Sequence, residues 1–295
     1  MGQAALHRAR VMKSVTVLAP ASTSNLGSGF DTLGLAVNLY NEITLTRGRS
    51  GAAEVPAMAA EAANLFFRTT KKARFEFGFS IKGNIPVARG LGTSGALRAG
   101  VVAGLNELAG AKLSKERLLE IVTELEGHPD NASPALLGGC TVSGWVGGEV
   151  RCIRFAVSPR LKIVTLIPNF RVETEEARRL IPQTFSKADT AHALNRAALI
   201  TAAFAARKYE ALRGLFDDRL HQPYRVPLVP QLHAVIRAGE KAGAIGGFLS
   251  GSGSAIICLA LEHEERIAKA MRRELPGSEV IVLRADNRGL RVFAH

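Results

Sequence analysis

Pro86-Val87-Ala88-Arg89-Gly90-Leu91-Gly92-Thr93-Ser94-Gly95-Ala96 is the stretch on which the reading of this chain turns. Upstream, Phe75 to Ile81 alternates with period two and stops before Asn84-Ile85-Pro86, so a strand delivers the chain to the glycines. Downstream, Leu97, Val101, Leu105 and Leu108 recur at three- and four-residue spacing, which predicts a helix beginning near Ser94. Glycines let backbone approach a phosphate closely, and the outward N–H groups of a helix start favour an anion. The segment therefore reads as a phosphate cradle, though a glycine-rich turn serving only close packing would look the same in isolation. It is not a Walker A loop, because the lysine of that motif is absent.

Three further segments carry chemistry. Pro20-Ala21-Ser22-Thr23-Ser24-Asn25-Leu26-Gly27-Ser28-Gly29-Phe30-Asp31 packs hydroxyls, an amide and a carboxylate into one loop, suited to a polar ligand or to satisfying its own backbone. Gly246 to Ser254 is a glycine-serine loop before an expected strand, Ala255 to Ala260, and is weak by itself. Glu124-Leu125-Glu126-Gly127-His128-Pro129-Asp130-Asn131 ends a helix whose cap is Ser114 and whose apolar stripe is Leu118, Ile121, Val122 and Leu125. At 100° per residue the stripe leaves Glu126 at its edge and turns Glu120 and Glu124 to solvent. Glu126 is thus the carboxylate expected inside, and a hard cation such as Mg²⁺ takes oxygen ligands of that kind.

Around these segments the chain reads as strands at Val15–Ala19 (stopped by Pro20), Glu42–Thr46, Cys140–Val146, Leu161–Ile167 and Val280–Leu283. Helices are expected at Thr174–Leu180, Ala191–Arg207 and Glu262–Glu274, and the alanine-rich stretch Ala52–Ala63 as loop and helix. Strands and helices without steady alternation predict an α+β fold, with a domain boundary near residues 155 to 160.

Composition narrows the function classes. The 295 residues are 47% hydrophobic and 22% charged, a globular balance, and no apolar run reaches the roughly 18 to 20 residues that span a bilayer. The net charge of +12 favours anionic partners, yet the basic doublets are dispersed and there is one Trp, so neither nucleic acid nor membrane is expected as a partner. Cys140, Cys152 and Cys258 have no metal or disulfide spacing and read as buried, reduced thiols of a cytoplasmic protein. Residues 1–12 read as a tail without the pattern of a secretory signal, Met12 being an alternative start.

Taken together and in order, the four segments resemble the GHMP kinase superfamily over about Val15 to Ser254. Within it they are most similar to the homoserine kinases, through Glu126 to Asn131 followed by Pro134 and Gly138-Gly139. The resemblance implies a two-domain GHMP kinase fold: a ribosomal protein S5 domain 2-like N-terminal domain at 13–157 and a ferredoxin-like C-terminal domain at 158–295. It implies ATP and Mg²⁺ as cofactors, L-homoserine as the small-molecule substrate phosphorylated on its hydroxyl in threonine biosynthesis, and a homodimer. By the same likeness Pro86, Val87, Ala88, Arg89, Gly90, Leu91, Gly92, Thr93, Ser94, Gly95 and Ala96, with Ser250, Gly251 and Gly253, bind the nucleotide. Ser94 and Glu126 hold the metal, and Asn25, Asp31, Asn131, Arg178 and Arg225 bind homoserine. Asn131 positions the reacting hydroxyl, with Asp130 and His128 as further catalytic candidates. The rival readings are a GHMP kinase for mevalonate, an isoprenoid precursor or a sugar, and a non-catalytic relative. Three departures stand out: Thr93 replaces a serine, Gly95 an alanine, and Ser254 a proline, the last predicting a more mobile third loop.

Overall fold

The computed structural model describes residues 13–48 and 54–295, so the expected tail and the first residues of the alanine-rich stretch lie outside the described residues. The first half of the chain contributes β1 (Ser14–Ser24), β2 (Leu33–Arg47), α1 (Ala57–Thr70), β3 (Phe77–Gly83), α2 (Thr93–Leu108), α3 (Lys115–Glu126), α4 (Ala132–Leu137), β4 (Cys140–Val146) and β5 (Glu149–Phe155). The second half contributes β6 (Lys162–Ile167), α5 (Thr174–Arg179), α6 (Lys187–Ala205), α7 (Gln222–Arg225), α8 (Leu232–Lys241), β7 (Gly246–Leu249), β8 (Ile256–Ala260), α9 (Glu264–Glu274), β9 (Glu279–Arg284) and β10 (Arg291–Ala294). Mixed strands and helices in two sheets realise the expected α+β class.

The larger sheet runs β10-β1-β2-β4-β5 with β3 also paired to β2, and the smaller runs β7-β8-β6-β9, all antiparallel. Val15, Val17, Ile43 and Leu45 on the larger sheet are fully buried in one core with Val101 and Leu105 of α2 and Phe66 of α1. On α2, a Cβ at Gly100 would lie 2.3 Å from Ile43 Cδ1, so the missing side chain is what lets this helix settle onto the sheet. The residues that lead into α2 meet the end of β1, where the Leu91 carbonyl accepts from Ser22 N–H.

Several expectations need correction. Pro20 does not stop β1: the strand continues to Ser24 across a register shift between Pro20 and Ala21, a bulge that absorbs the missing N–H of proline. β2 begins at Leu33, nine residues before the segment the sequence marked, because Leu33, Leu35 and Val37 are buried but their intervening residues are not polar. β7 occupies the first half of the expected glycine loop, and β5, β10 and α8 were not foreseen. The proposed division after residue 157 falls between β5 and β6, but β10 crosses back to pair with β1, so the last four-residue strand belongs to the first sheet. So short a strand carries no periodic signal, and its partner lies more than 270 residues away. Cys140 and Cys258 are buried free thiols, whereas Cys152 is only half-buried. Among the described residues no helix is long and apolar enough to cross a membrane.

Candidate active site

Two loops and the end of β1 meet where α2 begins. Gly90 and Gly92 hold left-handed φ angles of 71° and 66°, and the helix starts directly after Gly92. A Cβ on Gly90 would sit 2.0 Å from the Ser250 carbonyl oxygen, and one on Gly92 would sit 2.0 Å from Ser22 Oγ. Glycine is therefore demanded twice over, by torsion and by space. The three segments are locked together: Ser250 Oγ lies 2.6 Å from the Gly90 carbonyl and 2.7 Å from Thr23 Oγ1, and Ser22 N–H donates to the Leu91 carbonyl at 3.2 Å. Arg89 turns away from the cradle and donates to the carbonyls of Pro168 and Asn169, joining the loop to the end of β6. Burial, and then repulsion from Arg171, lower its pKa. Thr93 spends its hydroxyl on the Pro86 carbonyl at 2.9 Å.

The first turn of α2 faces the end of α3. Ser94 Oγ donates to Glu126 Oε2 at 2.9 Å, and Arg98 Nη1 donates to Glu126 Oε1 at 2.7 Å. The Glu126 side chain is 5% exposed, while that of Glu124 is 57% exposed and pairs with Arg68, as the helix-face reading predicts. A serine hydroxyl and a buried carboxylate oxygen within hydrogen-bond distance, beside a cradle that a Cβ would fill, are a donor set that fits Mg²⁺ with a nucleotide phosphate.

Asn131 joins this region to the acceptor side. Its amide accepts from Ser22 Oγ at 2.9 Å and donates to Ser24 Oγ at 3.1 Å, and its side chain packs where a Cβ on Gly95 would come within 3.2 Å. Next to it, His128 Nδ1 and Asp130 Oδ1 are 2.5 Å apart. Burial works against charging His128, but the hydrogen bond and charge of Asp130 prevail and raise its pKa. Ligand atoms of Asp31, His128 and Asp130 all lie within 4.8 Å of one another. Asp31, at a left-handed φ of 53°, receives both terminal nitrogens of Arg178 at 2.9 Å.

Arg225 is built differently. It is 2% exposed and donates to the carbonyls of Gly251 (2.9 Å) and Ala177 (3.4 Å) and to His221 Nδ1 (3.1 Å). Burial, followed by repulsion from Arg178, pushes its pKa down to about 10. Asn25 Nδ2 donates to the same Gly251 carbonyl at 3.2 Å. The two guanidiniums lie 5.4 and 5.5 Å from the ring centroid of Phe30, which stacks on His221.

Direct contacts thus bring together Gly90 with Ser250, Ser94 with Glu126, Asp31 with Arg178, and Asn25 and Arg225 on the Gly251 carbonyl, while Asn131 reaches Ser22 and Ser24. What the sequence reading missed is the support: Ser22 and Ser24 behind Asn131, Ser250 behind Gly90, Arg98 behind Glu126, and His221 with Phe30 behind the arginines. The only signal for His221 was its spacing of four from Arg225, which places both on one side of a helical turn. In the third loop, buried Ser254 donates to the Phe170 carbonyl at 2.7 Å, a tether that takes the place of the missing proline.

Comparison with known proteins agrees with this geometry. The family descriptions GHMP kinases N terminal domain and GHMP kinases C terminal match residues 57–139 and 200–277. A homoserine kinase of Clostridium beijerinckii is 37% identical over 95% of this chain and 98% of its own. Another, of Carboxydothermus hydrogenoformans, is 37% identical over 93% and 95%. The crystal structure of homoserine kinase from Cytophaga hutchinsonii superposes with a TM-score of 0.86 at 25% identity, covering 95% of this chain and 98% of that one. A mevalonate kinase of L. major, solved with R-mevalonate, shares the fold at a TM-score of 0.69 and 16% identity, over 91% and 95%.

Proposed function

We propose, from the premise that this chain belongs to the homoserine kinases of the GHMP kinase family, that it transfers the γ-phosphoryl group of ATP to the hydroxyl of L-homoserine in threonine biosynthesis. The observation that carries the proposal is the joining, through Asn131, of a glycine-built loop to a cluster of Asp31 and two arginines on one aromatic ring.

Phosphoryl transfer asks a protein mainly for positioning and charge stabilisation. The N–H groups at the start of α2 and the backbone of Gly90 to Thr93 would hold the nucleotide phosphates. Ser94 and Glu126 would hold Mg²⁺, which when bound with ATP offsets charge on the transferred group. Asn131, fixed by Ser22 and Ser24, orients the acceptor hydroxyl, and the paired His128 and Asp130 border that position. Arg178 and Arg225 present guanidiniums to a carboxylate, and Asp31 and Asn25 present oxygens to an ammonium. In the structure Asp31 itself fills the fork of Arg178, so substrate binding exchanges this internal carboxylate for the substrate's own. Free thiols, ATP and a free amino acid suit the cytoplasm.

ATP consumption measured against homoserine, threonine, mevalonate and galactose tests the reading. Homoserine should be preferred by at least about 100-fold in kcat/KM, in keeping with a site built to pair a charged group. Preference for mevalonate or galactose would overturn it.

A further inference from the structure

Arg98 has no part in the cradle, yet it holds one oxygen of the carboxylate on which the metal seat depends. It follows Ser94 by four residues on α2, so both side chains leave one face of the helix and converge on Glu126 from the same side. Ser94 takes Oε2 and Arg98 takes Oε1. The Arg98 side chain is 16% exposed, its Nη2 reaches the exposed Glu61 at 3.4 Å, and its Nε is buried with no partner among the described residues. An arginine that leaves a buried donor unsatisfied is a poor way to fill space, because an apolar side chain would incur no such desolvation. Its evident compensation is the Glu126 ion pair.

That pair changes what Glu126 can attract. A carboxylate already neutralised by a guanidinium, with one oxygen occupied, is a weak lure for a free divalent cation. Mg²⁺ sheds its water reluctantly and is usually held by one or two protein oxygens together with substrate phosphates. With the fixed positive charge of Arg98 in place, the phosphates become indispensable: they supply the negative charge that Glu126 has surrendered. We propose that Arg98 is a positioning residue that makes the metal seat conditional on nucleotide, holding Glu126 in its binding orientation while closing the seat to free divalent cation. The proposal rests on Ser94 and Glu126 being that seat.

Mn²⁺ serves as the probe, its binding followed by electron paramagnetic resonance with and without a non-hydrolysable ATP analogue. Nucleotide-free wild type should bind Mn²⁺ at least tenfold more weakly than Arg98→Met. Arg98→Gln, which keeps a donor for Oε1 without the charge, should also bind more tightly than wild type and covers the case in which the methionine variant does not fold. Arg98→Lys should restore weak binding. With the analogue bound, the differences among these proteins should shrink below about threefold. Unchanged nucleotide-free affinity in Arg98→Gln, or equal gains in Arg98→Lys and Arg98→Met, would overturn the role of Arg98. Glu126→Gln separates the two readings. If it abolishes analogue-dependent Mn²⁺ binding while the Arg98 variants change nothing, the seat stands and its gating fails. If Arg98→Gln gains affinity that survives Glu126→Gln, the seat itself is misassigned and the proposal falls with it.

Discussion

The nucleotide side and the acceptor side of this site share Asn131 but are made of different material. The nucleotide side is backbone: two left-handed glycines, a helix start, and two loops and a strand end interlocked by hydroxyls. The acceptor side is side chains, with Arg178 in the fork of Asp31 and Arg225 buried on carbonyls and a histidine. A backbone site tolerates almost no added atom, whereas a side-chain site can exchange partners. Substitution should therefore be all-or-none on one side and graded on the other.

The sharpest way to break this comparison is to add one methyl group. Gly90→Ala must place a Cβ 2.0 Å from a backbone oxygen that cannot swing aside, at a φ of 71°. The strained torsion and the overpacking together should remove about 3 kcal/mol of stability. The displaced loop should lower kcat/KM by at least about 100-fold, and urea unfolding alongside turnover checks both. Near-normal activity would mean that these segments are not interlocked in solution.

Removing a charge stabiliser without disturbing backbone should come next. Glu126→Gln should lower turnover about 100-fold and Ser94→Ala about 10-fold, while Glu124→Gln changes it less than twofold. Rates measured across Mg²⁺ concentrations separate lost affinity from lost turnover. A crippled Glu124→Gln would mean that the exposed Glu124–Arg68 pair, and not the buried carboxylate, serves the metal.

The same contrast explains what could be read from the sequence. The shape of the glycine loop was legible because it is written in residues adjacent along the chain, where torsion and spacing leave glycine no substitute. Glu126 was separable from Glu124 because helical period alone turns one in and the other out. The acceptor side depends on contacts between positions 147 residues apart, as for Asp31 and Arg178, and no local pattern announces them. Ser22 and Ser250 stood inside quoted loops, but nothing in their identity said which atom each would support. β10 and the passage of β1 through Pro20 were hidden for a related reason: pairing with a distant edge and a bulge both override local propensity.

Within the acceptor side, the two arginines offer a finer test. Each Arg→Lys change should weaken homoserine use by about 1.5–3 kcal/mol, the worth of hydrogen bonds to a charged group, and leave ATP affinity nearly unchanged. A carboxylate-free analogue should be poor for wild type and lose little further. Stability should divide the pair: Arg225→Lys strips donors from buried carbonyls, whereas Arg178 is 41% exposed and its loss should cost under about 1 kcal/mol. Equal losses of kcat/KM on homoserine and on the analogue would show that the arginines support the fold and do not read the carboxylate.

The smallest expected effect concerns His221, the support of Arg225, and its sign can be worked out. Nε2 lies 2.8 Å from the Gly27 carbonyl and so carries the proton, leaving Nδ1 bare to accept from Arg225. Burial, and then the charge of Arg225, hold its pKa below the ordinary 6.5, although Asp218, the Gly27 carbonyl and Asp31 all pull the other way. The unfolded chain therefore takes up this proton first as the solution is acidified. The stability tied to neutral His221 is fully present above about pH 6.5 and is lost as pH falls from there toward the folded pKa. His221→Gln keeps an amide to face Gly27 and Arg225 but cannot titrate. Carboxylates elsewhere destabilise both proteins equally in acid, so the gap between them isolates the histidine. Melting temperatures recorded from pH 8 to pH 5 should show wild type above the variant at pH 8, with the gap closing as pH falls. Each kcal/mol should correspond to about 2–4 °C in a chain of this size. Parallel curves would mean that His221 meets water or a further hydrogen-bond acceptor in the folded state, and that the buried half of the acceptor side is as exchangeable as the Arg178 half.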